Sequence, residues 1–97
     1  MARFAGDRSL YQEMAACFFE HAPCLLRQIR VSIAAKDAAE LTRAAHTLKS
    51  LAAMVGGQTL ADAAAEVEQQ GSQGAIAAAA ELVAPLESIL SETTAAI

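Results

Sequence analysis

Apolar residues recur along the chain at the spacing of amphipathic helices, and no useful stretch alternates between apolar and polar positions as a strand would. The spacing predicts a first helix that begins after Asp7, a residue type that caps helix N-termini. A second segment is predicted to begin near Pro23, because proline is tolerated best in the first turn of a helix. The apolar stripes of these two segments are Leu10, Met14, Cys17 and Phe18, and then Leu25, Leu26, Ile29 and Ile33.

The next helix is predicted over residues 37–54. Asp37 can cap its N-terminus, and Glu40 stands at the capping-box position three residues later. Two consecutive glycines, Gly56 and Gly57, are predicted to form the structural turn that ends this helix.

The remaining sequence predicts two more helices. Gln58 or Thr59 opens a helix that is expected to end near Gln70, and the sequence GSQG at residues 71–74 is typical of a loop. The last helix is predicted over residues 75–95, with Pro85 as a kink or a break. Short connections make neighbouring helices run antiparallel, so we predict an all-α fold, an up-down antiparallel four-helix bundle.

The length of 97 residues fits a single domain spanning residues 1–97, with residues 1–6 expected to form a poorly ordered lead-in. Hydrophobic residues make up 55% of the sequence, which is too high for an intrinsically disordered chain. The net charge of -4 argues against a nucleic-acid-binding protein.

The charges are unevenly distributed along the chain. All 7 Lys and Arg residues lie within residues 3–49. Residues 50–97 contain no basic residue and the acids Asp62, Glu66, Glu68, Glu81, Glu87 and Glu92. Two interpretations stay open at this point: a solvated acidic surface, or a basic half that contains a site for an anion.

The two cysteines, Cys17 and Cys24, would lie roughly 10 Å apart on a continuous helix, which is too far for a disulfide. Together with His21 they line one helix face at a spacing that could bind zinc. Pro23 interrupts this segment and cysteine is often a core residue, so packing is the better interpretation and no metal site is predicted. The free cysteines favour a reducing compartment.

The sequence contains no apolar run of 18 residues and no signal peptide. We therefore expect a cytoplasmic domain that makes no membrane contact of its own. It could stand alone, or be one domain excised from a longer protein.

His46 lies in the middle of the helix predicted over residues 37–54. On a helical wheel the apolar residues occupy an arc roughly 140° to 240° away from it. These residues are Leu41, Ala44, Leu48, Leu51, Ala52 and Val55. The neighbours of His46 on its own face include Arg43, Lys49 and Ser50. His46 is therefore predicted to be exposed on a polar, cationic face.

These features favour a phosphoryl-accepting histidine over an ordinary surface histidine. An exposed imidazole is a good nucleophile near neutral pH. Arg43 and Lys49, one turn to either side, would stabilise an anion at His46. Ser50 is small enough for another protein to approach the ring. The sequence has no glycine-rich nucleotide loop and no catalytic triad, so no independent enzymatic activity is predicted.

The stretch AAHTLKSLAAMVGGQTLADAAAEVE, residues 44–68, resembles the signature of histidine phosphotransfer (HPt) domains of multistep two-component relays. That signature has His-x-x-Lys and a small residue, then a glycine, a leucine, and an acid or amide on the next helix. The matching residues are His46, Lys49, Ser50, Gly56, Leu60 and Glu68. Ser50 departs from the glycine that is most frequent in the family.

The resemblance implies a four-helix bundle whose exposed His46 is phosphorylated on the imidazole. It implies exchange of phosphate with the aspartate of response-regulator receiver domains, which bring their own Mg²⁺, so no cofactor is expected in this domain. A histidine kinase is an expected partner, in the same polypeptide or in another. This domain could be the C-terminal domain of a hybrid sensor histidine kinase, as the cytoplasmic part of a membrane-bound sensor. Glu68 would face the His helix and hydrogen-bond the imidazole. We expect a monomer.

One alternative function stays open, a helical protein-interaction module without phosphotransfer. A degenerate domain of this kind would normally lack the histidine or the lysine, whereas His46 and Lys49 are both present. The sequence does not tell which signal is sensed, which receiver domains dock, or in which direction phosphate flows.

Overall fold

The computed structural model describes the backbone of residues 2–96 and the side chains of residues 16–95. Within that part of the chain every regular element is an α-helix, which confirms the all-α class. The helices are α1 (Ala2–Ala35), α2 (Ala38–Met54), α3 (Gln58–Ser72), α4 (Ile76–Glu81) and α5 (Val83–Ala96). The up-down arrangement of a four-helix bundle stays a prediction.

The first helix is continuous where the sequence predicted an interruption. Pro23 lies inside α1, so the expected second segment near Pro23 was wrong. Pro23 is exposed, and water can therefore satisfy the carbonyl that loses its intrahelical hydrogen bond. The helix also begins at Ala2 and not after Asp7. The predicted lead-in of residues 1–6 stays a prediction, and the side chains of Leu10 and Met14 lie outside the described residues.

The buried core follows the predicted stripes closely. All six residues of the apolar arc predicted for α2 are buried, as are Phe18, Leu25, Leu26 and Ile29 of α1, while Cys17 and Ile33 are partly buried at its edge. Ser32 is the buried polar residue of this core, and its hydroxyl donates a hydrogen bond to the carbonyl of Gln28 at 2.7 Å. The rest of the core consists of Ala22, Ala45, Leu60, Ala61, Ala64, Val67, Ala79, Leu86 and Leu90.

Helix α2 begins at its predicted cap and packs most extensively against α3, then against α1. The side chain of Asp37 accepts a hydrogen bond from the Glu40 backbone N–H at 3.1 Å, which satisfies one of the free donors of the first turn. The side chain of Glu40 does not complete a capping box, because it pairs with Arg43 instead.

Each of the first three helices ends in the same kind of turn, with one residue in the left-handed conformation. Gly56 has φ +77° and Gly74 has φ +73°, which glycine adopts without steric cost. The N–H after each of these residues bonds back to a carbonyl of the last helical turn, Gly57 to Ala52 at 2.8 Å and Ala75 to Gln70 at 2.9 Å. Gly56 and Gly57 thus lie in the turn that follows α2.

The predicted last helix is divided in two at Leu82. A proline ring clashes with the carbonyl four residues earlier, so a continuous helix could not pass Pro85 without distortion. The break at Leu82 places Pro85 in the first turn of α5, where its missing N–H costs no hydrogen bond. The predicted GSQG loop is also shorter than expected, since Gly71 and Ser72 belong to α3.

The turn between α1 and α2 contains a residue with a strained backbone, and a substitution can relieve this strain. Lys36 has φ +58°, a conformation that costs a side-chain-bearing residue about 1–2 kcal/mol. We expect Lys36→Gly to raise the free energy of unfolding by roughly 0.5–1 kcal/mol, because the relief exceeds the entropy that glycine adds to the unfolded chain. Urea denaturation measures this difference. Lys36→Ala keeps the strain and should unfold like the wild type; equal stability of all three proteins would contradict the prediction.

Candidate functional site

His46 lies at mid-helix on α2 with 58% of its side chain exposed. The preceding and following turns bury Leu41, Ala45 and Leu48 on the other side of the helix. The sequence prediction that the imidazole points away from the core is therefore confirmed. Its exposure makes the ring accessible to a macromolecular partner. Which ring nitrogen has a free lone pair depends on the hydrogen bonds of the imidazole.

Glu68 reaches His46 from the neighbouring helix. The Glu68 Oε2 atom lies 2.8 Å from the imidazole Nδ1, and its Oε1 atom lies 2.9 Å from the Lys49 ammonium. One carboxylate thus joins His46 and Lys49, which stand one turn apart on α2. Because 22 residues of sequence separate His46 from Glu68, this contact depends on the packing of α3 against α2.

The electrostatic surroundings keep Glu68 ionised. The hydrogen bond from Lys49, reinforced by the one from His46, lowers the pKa of the Glu68 carboxyl below its ordinary value of 4.5, against the opposing effect of partial burial. An ionised carboxylate can only accept hydrogen bonds, so the proton between it and the ring belongs to Nδ1. A neutral His46 therefore has its lone pair on Nε2.

Arg43 and Lys49 both have acidic partners. Arg43 pairs with Glu40 at the i,i−3 position, and the hydrogen bond to Glu40 raises the pKa of the Arg43 guanidinium further above its ordinary value. The structure thus brings Lys49 and Glu68 to His46 and directs Arg43 to Glu40. The face predicted as cationic consists of two ion pairs, and their charges cancel. The i,i+3 spacing could have identified the pairing of Arg43 from the sequence.

Small or short side chains surround the ring elsewhere. Ser50 is exposed one turn after His46 on the same face. The Thr42 and Thr47 hydroxyls donate to the carbonyls of Ala38 and Arg43 and so lie along their own helix. Gly56 and Gly57 form the turn at the end of α2 and lie outside the immediate surroundings of His46.

A groove between α1 and α2 opens on the other flank of His46. It has a cavity volume of about 250 Å³ and is lined by Cys17, His21, Cys24, Leu25, Gln28, Thr47 and Leu51. Both cysteines are free thiols. Among the described residues, no group of three or more His, Cys, Asp and Glu side chains is arranged to hold a metal ion. The groove is a mainly apolar surface.

The comparisons with known proteins give one match. A family model described as "Hpt domain" matches residues 13–96. Comparison with curated proteins and with solved structures found no match. None of the helices described for this chain combines the length and the apolar character that are needed to cross a bilayer.

The pairing of Glu68 predicts a pH-dependent contribution to stability. Because its pKa is lowered on folding, this contribution is complete above the unfolded-state pKa and disappears as the pH falls through the folded-state pKa. We expect Glu68→Gln to be less stable than the wild type by about 1 kcal/mol or less at pH 5, and the difference to shrink as the pH falls below the ordinary carboxyl pKa of 4.5. Urea denaturation at several pH values tests this.

Glu66→Gln is the matched control, because Glu66 is exposed on the same helix and forms no ion pair with the described residues. Its stability should follow that of the wild type across the pH range. A difference between the wild type and Glu68→Gln that grew on acidification would have the wrong sign and would contradict the assignment.

Proposed function

The chain belongs to the Hpt domain family, whose members are phosphoryl carriers of phosphorelays, and we propose that His46 is its phosphoryl-carrying residue. In this proposal the aspartyl phosphate of a receiver domain is the donor, and the aspartate of another receiver domain is the acceptor. One observation carries the proposal: Glu68 holds Nδ1, which leaves Nε2 of an exposed imidazole free to attack phosphorus.

The chemistry needs little from this domain beyond a positioned nucleophile. The Nε2 lone pair forms the N–P bond while the bond between phosphorus and the donor aspartate oxygen breaks, and the electron pair returns to that carboxylate. The attacking ring keeps its Nδ1 proton and becomes positively charged. The Glu68 carboxylate, 2.8 Å away, stabilises this charge as it develops. The return reaction to a second receiver reverses these changes.

Lys49 is well placed to respond to the incoming phosphoryl group. Its ammonium lies one turn from the ring and is already held close to it through Glu68. A lysine can donate a hydrogen bond to a phosphoryl oxygen as well as to a carboxylate. Lys49 would therefore stabilise the negative charge of the phosphoryl group during its transfer between the two proteins. The Mg²⁺ ion that phosphoryl transfer between receivers and this domain needs would be the receiver's own.

The receiver is proposed to dock on the face around His46 and Ser50. Ser50 is exposed and offers no bulk, so a second protein can reach the ring. The apolar groove between α1 and α2 adjoins this face at Thr47, the residue next to His46, and would extend the contact. We further propose an up-down bundle, a monomer in the cytoplasm, and a kinase partner in the same polypeptide or in another.

The second candidate function, a helical interaction module without phosphotransfer, would use the same face and groove. It gives no reason for a carboxylate that binds both His46 and Lys49. The two functions differ in whether phosphate appears on the protein.

We expect His46→Gln to abolish phosphate acceptance from a phosphorylated receiver domain in the presence of Mg²⁺. The fold should survive, because substitution of an exposed side chain usually changes stability by less than about 0.5 kcal/mol. The measurement is acid-labile phosphate on the domain, with circular dichroism to check folding. His21→Gln is the matched control and should accept phosphate normally. Labelling of His46→Gln, or its loss from His21→Gln alone, would refute the assignment.

We expect Lys49→Ala to slow phosphotransfer roughly ten- to hundredfold, since a hydrogen bond from a charged group contributes about 1.5–3 kcal/mol. Arg43→Ala should have a smaller effect, because Arg43 pairs with Glu40 and not with the residues that contact His46. Time courses of transfer from one receiver domain compare the three proteins. Equal rates in all three proteins would show that Lys49 does not contribute to phosphotransfer.

We expect Ser50→Tyr to weaken receiver binding at least about tenfold, because a bulky ring next to His46 would block close approach and lose the contacts of the docked state. Ser88→Tyr adds the same bulk at an exposed position of α5 and is the matched control. Titration calorimetry with a receiver domain measures both. Equal affinity of Ser50→Tyr and the wild type would place the docking surface elsewhere.

A further inference from the structure

Gly71 occupies an unusual position near the end of α3. It is buried and helical, although glycine costs a helix interior about 1 kcal/mol relative to alanine. Its φ angle does not lie in the left-handed region, so no turn requires glycine here. The reason for a glycine at this position must therefore lie in what surrounds it.

The surroundings leave no room for a side chain. A Cβ atom on Gly71 would lie 2.7 Å from the Thr42 Oγ1, and 3.3 Å from the Leu41 Cγ and from the Thr42 backbone nitrogen. Thr42 cannot easily turn away, because its hydroxyl donates a 2.7 Å hydrogen bond to the Ala38 carbonyl. A side chain at Gly71 would therefore push α3 away from α2.

This close approach lies one turn from the contacts of His46. Thr42 precedes His46 by four residues on α2, and Gly71 follows Glu68 by three residues on α3, so both pairs face each other across the same helix interface. The two contacts of Glu68, at 2.8 and 2.9 Å, leave little margin. An outward shift of roughly 0.5 Å would take them beyond the usual range of about 3.2 Å.

Resting on the proposed function, we propose that Gly71 is a positioning residue: its missing side chain lets α3 approach α2 closely enough for Glu68 to hold both His46 and Lys49. Gly71 touches none of the reacting atoms and acts through Glu68. It thereby fixes which nitrogen of His46 keeps the proton and which one reacts.

The test reads the tautomer of His46 directly. Nitrogen-15 NMR of the imidazole, at a pH where the ring is neutral, should show the proton mainly on Nδ1 in the wild type. In Gly71→Ala the Nδ1 population should fall, towards that of Glu68→Ala, which has no acceptor for the Nδ1 proton. Ser72→Ala, at the exposed neighbouring position, should match the wild type. A wild-type tautomer in a folded Gly71→Ala protein overturns the proposal.

Removal of the obstacle should restore the geometry. Thr42→Ala deletes the Oγ1 atom that the new Cβ would meet, so Thr42→Ala/Gly71→Ala should recover the wild-type tautomer. If Gly71→Ala does not fold, the tautomer of His46 in this double variant is the test of the proposal. A double variant that fails to fold, or that folds without the Nδ1 tautomer, overturns the proposal.

Phosphotransfer supplies the second readout. Gly71→Ala should slow transfer by about the same factor as Glu68→Ala, and the combined Gly71→Ala/Glu68→Ala variant should be no slower than Glu68→Ala alone, because both changes remove the same interaction. Additive losses would overturn a role through Glu68. If the wild type accepts no phosphate while the tautomer follows Gly71, the proposed function fails and the positioning role stands.

Discussion

The packing of α3 against α2 is the constraint on which the rest of this domain depends. His46 and Lys49 are one turn apart on α2, and on that helix alone they would be a surface histidine and a surface lysine. The Glu68 carboxylate joins them only because α3 lies close alongside. The same packing buries Leu48 and Leu60, so the geometry of the site and the stability of the core have a common origin.

The sequence predicted this α2 helix well because its signals are local. Asp37 caps it, the apolar arc on its wheel is buried, and Gly56 ends it in the left-handed turn that a glycine favours. The exposure of His46 follows from the same wheel. Sequence similarity suggested Glu68, whereas its distances to His46 and Lys49 depend on tertiary packing that periodicity cannot supply.

The errors arose where tertiary context competes with a local rule. Pro23 was expected to end a helix, but at an exposed position of α1 the lost hydrogen bond does not interrupt it. The last helix did break, three residues before Pro85 at Leu82, so that Pro85 falls in the first turn of α5. Gly71 was assigned to a loop from its composition alone. The reason for a glycine there lies in the atoms of Leu41 and Thr42 on α2, which leave no room for a Cβ atom.

The core contains many alanines, and this limits which substitutions the sequence can accept. Seven of its nineteen apolar members are alanines, and five of these lie on α2 and α3, the helices that also meet at Gly71 and Thr42. At these alanine positions there is almost no side chain whose truncation could open a cavity, while enlargement there forces the helices apart. Mutational tolerance at this interface is therefore asymmetric: selection must exclude gains in side-chain volume more strictly than losses.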